Sequence, residues 1–334
     1  MHPVMKTALL VLAAGSGSRF GGAKQAEPLG PAGETILEYS IHDAMRAGFD
    51  EAVFLVRAAA AEDFRERVLR RLPASLRARI AIQEPESLCG AEDRAAMRAS
   101  GRAKPWGTGQ ALLCAASELD SPFAIVNADD FYGRESFRLV HDFLAARGPG
   151  DREWCMAGYR LRNTASARGA VSRGICRITR GPAGEPGLLA SVTEEPAIEA
   201  AGPGFVALRP EGEPAALTGD ETVSMNFWGL TPAVFGRALP LFRAFLDGNR
   251  GSAKAEFYLP ALVDALVSRG EASVRVLPTE AGWFGLTYRG DAGEARERLA
   301  ALVSAGEYPS PLWDRAAPGR PEGASGPGDT GIAR

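Results

Sequence analysis

The sequence is short of the side chains that most zinc and hydrolase sites use. Among its 334 residues are three histidines and four cysteines, and the cysteines form no CxxC pair and have no histidine close by. A zinc site, a disulfide framework and a Ser-His-Asp triad are therefore poorly supported. This use of cysteine leads us to expect a reducing, cytoplasmic location.

The sequence also lacks an excess of charge and a long apolar run. Lys and Arg number 38 against 41 Asp and Glu, which gives a net charge of −3. Such a balance argues against a protein that neutralises many phosphates of a nucleic acid. No apolar run approaches the roughly 18 residues of a membrane-spanning helix, and the short run at 8–14 is typical of a buried parallel strand. We therefore expect neither nucleic acid nor membrane as a partner.

Hydrophobic periodicity predicts strands that alternate with helices over the first 150 residues. The predicted strands are 7–13, 52–56, 80–82 and 123–127, and the predicted helices begin near Thr35 and cover 61–72 and 108–117. This alternation is typical of an α/β fold with a parallel sheet. Ligands of such sheets lie beyond the carboxyl ends of the strands, where Gly15, Gln83 and Asp129 would meet.

After residue 150 the pattern becomes rich in predicted strands. They cover 154–161, 171–179, 187–195, 222–230 and 273–277, with helices at 232–246, 257–269 and 292–304. We interpret residues 5–313 as a single domain in two halves, 5–150 and 151–313. Residues 314–334 contain five Gly and three Pro and almost no large apolar side chain, so this tail is predicted to be disordered.

A glycine-rich loop follows the first predicted strand and reads GSGSRFGGAKQ from 15 to 25. Its backbone N–H groups could hold an anion while Arg19 and Lys24 supply positive charge. A dinucleotide-binding fingerprint would need Gly in place of Phe20, and a P-loop would need Gly before Lys24 and Ser or Thr after it. The alternative is a flexible turn with a solvated arginine and lysine.

Taken with later segments, this loop resembles the signature of sugar-phosphate nucleotidylyltransferases, members of the nucleoside-triphosphate transferase superfamily. The matching segments are LAAGSGSRFG at 12–21, KQ at 24–25, PL at 28–29, GETILEYS at 33–40, KPWGTG at 104–109, NADD at 127–130, SMNFWG at 224–229 and EF at 256–257. The resemblance implies a GT-A-like, three-layer α/β/α sandwich with a mostly parallel, mixed central sheet. It also implies a Mg²⁺-dependent enzyme that joins a nucleoside triphosphate to a sugar 1-phosphate and releases pyrophosphate.

The resemblance assigns nucleotide binding to the first half and sugar binding to the second. Arg19 and Lys24 become the catalytic residues, which neutralise charge that grows on the phosphates. The implied nucleotide-binding residues are Ala13, Ala14, Gly15, Gly17, Gln83, Gly107 and Thr108. The Gln83 amide can pair with the imide edge of uracil or thymine, which favours UTP or dTTP. Residues 84–103 are expected to form a flexible flap, with Arg102 or Lys104 close to phosphate.

Two aspartates are the predicted Mg²⁺ ligands. The family's metal-binding Asp closes the fourth strand, which favours Asp129, although Asp130 beside it is an alternative. Asp291 is the second candidate, and its alternative role is a helix-capping box with Glu294.

Three residues of the second half resemble the family's sugar-phosphate ligands, namely Glu194, Asn226 and Glu256. Glu195 stands where the family has lysine, so either another cation, Lys254 or Arg173, holds the phosphate, or the acceptor is not a simple hexose 1-phosphate. Trp228 and Trp283 are either sugar-stacking platforms or core residues.

Three other functions stay open beside this one. They are a related transferase with a non-sugar phosphate acceptor, a non-catalytic nucleotide-binding regulatory homologue, and, less favoured because Asn127 replaces the first acid of a DxD motif, a glycosyltransferase. A homo-oligomer is compatible with the sequence.

Overall fold

The computed structural model describes residues 6–15, 27–166, 169–181, 185–209, 212–286 and 290–313. Within these ranges the chain forms a mixed α/β fold with one large sheet, a small two-stranded sheet and eight α-helices. None of these helices has the length and apolarity needed to cross a membrane. The predicted tail 314–334, and most of the glycine-rich loop with Gly17, Arg19 and Lys24, lie outside the described residues.

The predicted strands and helices are present in the predicted order with shifted ends, and the structure adds four short strands and two helices for which no bounds were predicted from the sequence. The strands are β1 Ala8–Leu12, β2 Glu51–Val56, β3 Arg77–Ile82, β4 Phe123–Asn127, β5 Asp130–Phe131, β6 Glu153–Arg160, β7 Val171–Thr179, β8 Leu188–Ala201, β9 Gly204–Ala207, β10 Ala215–Leu217, β11 Thr222–Leu230, β12 Ser273–Thr279 and β13 Phe284–Gly285. The helices are α1 Ile36–Ala47, α2 Ala61–Arg67, α3 Ala91–Ser100, α4 Thr108–Cys114, α5 Arg134–Leu144, α6 Ala233–Asn249, α7 Leu259–Ser268 and α8 Asp291–Ser304.

The large sheet has the strand order β10-β9-β8-β12-β6-β11-β4-β1-β2-β3, and β7 pairs with β11 and β8. Parallel pairing joins β4, β1, β2 and β3, and also β12 and β6. The other pairs described are antiparallel. A mixed sheet is thus observed, but its mostly parallel character is not confirmed, because consecutive strands of the second half pair as antiparallel neighbours without a helical crossover.

The core divides between the two faces of this sheet. Alternate residues of a strand point to opposite faces, and accordingly Leu10 of β1 belongs to one cluster of buried side chains while Leu9 belongs to another. Helices α6 and α7 contribute to the Leu10 cluster, and α1 and α5 to the Leu9 cluster. This division of the core is compatible with the predicted α/β/α sandwich.

Local capping explains why α1 begins and ends where the sequence predicted. The Thr35 side chain accepts a hydrogen bond from the Glu38 N–H, and Glu38 in turn accepts from the Thr35 N–H. At the other end Gly48 adopts a φ of 118°. Only glycine takes this conformation cheaply, and a Cβ at this position would lie 2.6 Å from the His141 ring. The helix is therefore fixed at both ends by its own residues.

The segment 84–103 is not the flexible flap that the sequence predicted. It contains α3, whose residue Met97 is buried in the core and whose residue Asp93 forms an ion pair with Arg250 of the loop after α6 at 2.8 Å. Charged residues at this position suggested exposure, but they belong to an amphipathic helix with an anchored face.

Candidate functional site

The carboxyl ends of the parallel strands meet at one edge, as predicted. The Ala13 N–H donates to the Leu55 carbonyl at 2.9 Å, and the Ala128 N–H donates to the Leu12 carbonyl at 3.1 Å. Gln83 continues the row, because its N–H donates to the last residue of β2 at 2.9 Å. Ala14, which follows Ala13 in the chain, is buried, whereas Gly15 is exposed at the start of the glycine-rich loop. The structure thus brings the start of the loop, Gln83 and the end of β4 to the same edge.

A chain of side-chain amides joins the two halves at this edge. Asn226 donates from Nδ2 to Asn127 Oδ1 at 2.8 Å, and Asn127 donates from Nδ2 to Asp130 Oδ2 at 2.8 Å. The indole N–H of Trp228 donates to Asn226 Oδ1 at 3.2 Å. Asn226 has a φ of 61° and lies where β11 loses its regular register with β6, so a bulge orients this side chain.

The two neighbouring aspartates have different surroundings. The buried Asp130 carboxylate accepts hydrogen bonds from Asn127 and from the Tyr132 hydroxyl, and it also fills the space where Gly285 lacks a side chain. Asp129 is half-buried, and its carbonyl accepts from the Leu286 N–H at 3.0 Å. Asp130 is thus part of the packed structure, which supports Asp129 as the predicted metal ligand.

The second predicted metal ligand, Asp291, is the first residue of α8. Gly290, not Asp291, occupies the capping position, and no side chain caps the helix there. The described residues contain no group of three or more His, Cys, Asp or Glu side chains able to hold a metal. Mg²⁺ needs only one or two carboxylates when nucleotide phosphates and water complete its shell, so Asp129 and Asp291 fit this ion.

Gln83 is held by the segment that precedes α4. Its Nε2 group donates to the Gly107 carbonyl and to Gln110 Oε1, each at 3.1 Å. Gln110 is fully buried and also accepts from the Trp106 N–H at 2.8 Å. Both Gln83 N–H groups therefore have protein acceptors, so in this arrangement the amide offers only its Oε1 and not the donor and acceptor pair expected from the sequence.

Gly107 and Thr108 are held against the segment before α7. The Gly109 N–H donates to the Phe257 carbonyl at 2.8 Å, and the Leu259 N–H donates to Thr108 Oγ1 at 2.9 Å. Gly107 has a φ of 94°, and a Cβ there would lie 2.9 Å from the Phe257 carbonyl oxygen. Glycine is thus required for this close approach of the two backbones.

Arg102 does not have the phosphate-binding role proposed from the sequence. Its guanidinium is buried 3.4 Å above the centre of the Trp106 ring. It donates to four backbone carbonyls, which are those of Lys104, Pro105, Ser252 and Ala255. Burial lowers the pKa of Arg102, against an opposing effect of Glu256. The residue binds the α3–α4 connection to the loop before α7, while Lys104 is exposed.

The three predicted sugar-phosphate ligands are not all brought together. Asn226 lies in the amide chain described above. Glu194 pairs across the strands with Gly174, which in turn pairs with Ser224 two residues from Asn226. Glu256 is exposed and precedes Phe257, beside Gly107. Among the described residues no hydrogen bond joins Glu256 to either of the other two.

The unexpected Glu195 has its own partner. It is buried, and both of its carboxylate oxygens accept from Arg209, at 3.0 Å from Nε and 2.5 Å from an Nη atom. The position that carries lysine in the resembling family is thus occupied by a closed ion pair. Sequence reasoning missed Arg209, since nothing in its neighbourhood indicated that two positions fourteen residues apart would pair.

A cavity of about 370 Å³ opens beside this region, between β7 and the start of α8. Trp283 lies in its wall, whereas Trp228 is fully buried and serves the core. The polar side chains of the lining are those of Thr164, Ser166, Ser172, Arg173, Asp291, Glu294 and Arg298. Asp291 therefore lines the same cavity as Arg173 and Trp283.

The fold and the first half of the chain define an enzyme class. Residues 9–130 match the family model of the MobA-like NTP transferase domain, so this part of the chain is a nucleotidyltransferase domain. Its fold is similar to that of the inositol-1-phosphate CTP transferase from T. maritima, with a TM-score of 0.57 and 13% identity over 90% of this chain and 98% of that one. No match was found among curated protein sequences.

Proposed function

We propose that the protein transfers a nucleotidyl group from a pyrimidine nucleoside triphosphate to the phosphate of a sugar 1-phosphate or a related polyol phosphate. The observation that carries this proposal is the amide chain from Asn226 through Asn127 to Asp130, because it joins the acceptor half to the end of β4. Such a link holds two substrates in a fixed relation, which is the main requirement of a transfer between two anions.

In this reaction an oxygen of the acceptor phosphate attacks the α-phosphorus of the triphosphate. The new P–O bond forms as the bond to the β-phosphate oxygen breaks, and pyrophosphate leaves. Arg19 and Lys24, which follow β1 in the sequence, would neutralise the charge that grows on the phosphates. Asp129 and Asp291 would hold Mg²⁺, which would supply positive charge to the phosphate groups.

The hydrogen bonds of the Gln83 amide widen the set of bases that this residue could bind. With Nε2 engaged by Gly107 and Gln110, Oε1 accepts one N–H from the base. Uracil and thymine offer N3–H, and cytosine offers its exocyclic amino group. The amino groups of adenine and guanine could donate to the same oxygen, so Gln83 alone does not select the base. UTP and dTTP stay in the proposal because of the family resemblance, and CTP joins them. CTP is also the nucleotide named for the T. maritima protein of similar fold.

A second candidate acceptor is favoured by the Glu195–Arg209 ion pair. This pair replaces the lysine expected for a hexose 1-phosphate. A cyclitol phosphate or a phospho-alcohol is the alternative acceptor, and inositol 1-phosphate is the example given by the protein of similar fold. Both acceptors carry a phosphate monoester, so the same phosphoryl chemistry applies to either.

Pyrophosphate release tests the proposal directly. The full chain with Mg²⁺ is assayed with UTP, dTTP, CTP, ATP and GTP against glucose 1-phosphate, N-acetylglucosamine 1-phosphate, inositol 1-phosphate and phosphocholine. We expect release with a pyrimidine triphosphate and at least one of these acceptors. A folded protein that binds Mg²⁺ and a triphosphate but releases no pyrophosphate with any pair would contradict the proposal.

A variant of the glycine-rich loop shows whether the turnover belongs to this site. Lys24→Ala is expected to lower kcat by about 10²-fold or more, as removal of one group that stabilises transition-state charge does. Lys6→Ala removes an exposed lysine just before β1 and is the matched control. Normal turnover by Lys24→Ala would remove this residue from the mechanism.

A further inference from the structure

We infer that Arg173 binds the phosphate group of the acceptor in the cavity between β7 and the start of α8. This assignment rests on the proposed function and identifies the cation that replaces the expected lysine. It also separates the two residues that the sequence left as options, Arg173 and Lys254.

Arg173 is a buried cation that the protein holds rigidly. Its side chain is part of β7 and is only 8% exposed. The guanidinium donates from Nε to Thr164 Oγ1 at 3.0 Å, from Nη1 to the Ser172 carbonyl at 2.7 Å, and from Nη2 to the Thr164 carbonyl. The Cζ atom of Arg173 lies 4.7 Å from the centre of the Trp283 ring. These contacts use three of the five N–H donors and fix the plane of the group.

No carboxylate of the described residues forms an ion pair with this cation. Among the described residues, no Asp or Glu oxygen lies within 4.0 Å of the Arg173 guanidinium, although Asp130 and Glu194 act on it at longer range. Burial lowers the pKa of Arg173 to about 10, against the opposing effect of those two carboxylates. A buried charge without a close counter-ion is costly, so its retention points to an anion that arrives from outside.

The surroundings of Arg173 suit a small phosphate ester. The cavity of about 370 Å³ lies in the range of pockets for small molecules. Trp283 forms part of the cavity wall, and its buried indole N–H has no acceptor among the described residues. The two unused guanidinium N–H groups of Arg173 can donate to phosphate oxygens. Of the acidic side chains in the lining, Glu294 is paired with Arg298 at 2.6 Å, and Asp291 is the predicted metal ligand.

The position of the cavity favours the acceptor over the triphosphate. The lining residues that the structure describes lie between 164 and 298, all in the second half of the domain, and none of the described nucleotide-binding candidates is among them. Asp130, the first residue of β5, acts electrostatically on Arg173 and accepts a hydrogen bond from Asn127 at the end of β4, so it links this cavity to the nucleotide edge. Lys254 is exposed and does not line the cavity.

Two substitutions of Arg173 and one control test the assignment. Arg173→Met removes the charge, Arg173→Lys keeps it without the planar fork, and Arg177→Met removes an exposed arginine from the same strand. Calorimetric titration with inositol 1-phosphate, glucose 1-phosphate and inorganic phosphate is followed for each protein, together with titration by CTP and UTP. Circular dichroism confirms that each variant is folded.

We expect Arg173→Met to weaken binding of the acceptor phosphate by about 10- to 100-fold, the usual weight of hydrogen bonds from a charged group. The affinity of Arg173→Lys for the acceptor phosphate should lie between those of Arg173→Met and the unchanged protein. Nucleotide binding by all variants, and acceptor binding by Arg177→Met, should be unchanged. Unchanged acceptor binding by folded Arg173→Met, or an equal loss of nucleotide binding, would overturn the assignment. Inorganic phosphate binding that depends on Arg173 without any turnover would instead refute the proposed reaction and leave the anion site standing.

Discussion

At the scale of single residues, the doublet Asp129–Asp130 shows how adjacent identical side chains take different roles. Asp130 is buried and accepts hydrogen bonds from Asn127 and Tyr132, so its charge is committed to the fold. Asp129 is half-buried at the same strand end. Asp130 therefore serves the structure, and Asp129 is the proposed metal ligand.

This difference predicts opposite effects of one substitution at the two positions. Asp129→Asn should lower kcat by about 10²-fold or more if its charge acts in the transition state, with the melting temperature nearly unchanged. Asp130→Asn should lower the free energy of unfolding by about 1–3 kcal/mol, because its new N–H₂ group would face the Asn127 donor in a buried site. Denaturant unfolding and pyrophosphate release measure the two effects, and the reverse pattern would assign the metal to Asp130.

At the scale of elements, the start of α4 is positioned by its contact with the segment before α7. Gly109 lies so close to Phe257 that a Cβ would be 2.5 Å from the ring. Gln83 takes its orientation from the Gly107 carbonyl in the same segment. The side chain proposed to bind the base is therefore held by a contact between residues about 150 positions apart.

Gly109→Ala is expected to lower the free energy of unfolding by about 1–3 kcal/mol, the usual cost of overpacking, and to raise KM for the nucleotide more than KM for the acceptor. Gly236→Ala in α6 is the control, because a Cβ there meets nothing within 4 Å and alanine favours a helix. Equal KM changes for both substrates in Gly109→Ala would show that α4 does not set the nucleotide site.

How far the sequence predicts these elements depends on whether their signals are local. β4, β7 and β11 have their predicted bounds, since apolar patterns and flanking turns define them. The loop resemblance likewise led to the correct enzyme class. By contrast, the anchoring of α3 through Asp93 and Arg250, and the pair of Glu195 with Arg209, arise from distant positions that periodicity does not connect.

At the scale of the whole molecule, the four cysteines are distributed over the core clusters on both faces of the sheet. Cys89 and Cys176 belong to the Leu10 cluster and Cys155 to the Leu9 cluster, while the half-buried Cys114 packs against the first of these. None of the four forms a disulfide. If residues 5–313 fold as a single domain, these thiols should become accessible together.

A thiol reagent such as DTNB tests this at pH 8 across a urea titration. We expect slow reaction in the native state, because burial raises the pKa of all four thiols and the thiolate is the reactive form. Reactivity of all four should rise at the midpoint seen by circular dichroism. Exposure of one pair at a clearly lower urea concentration would mean that the two core faces unfold separately.

The same thiols predict how stability depends on pH. Burial raises the pKa of Cys114 from 9.0 to about 11 and that of Cys176 to about 12. Below pH 9 both the folded and the unfolded chain hold these protons, so their ionisation costs no stability. Between pH 9 and about 12 the unfolded chain loses them first, and the free energy of unfolding should fall as the pH rises.

Buried tyrosines act in the same direction, so the test compares urea midpoints at pH 8 and pH 10 for the unchanged protein and for Cys176→Ala. The variant should start less stable, because it leaves a small cavity, but lose less stability between the two pH values; an equal loss would show that Cys176 does not contribute.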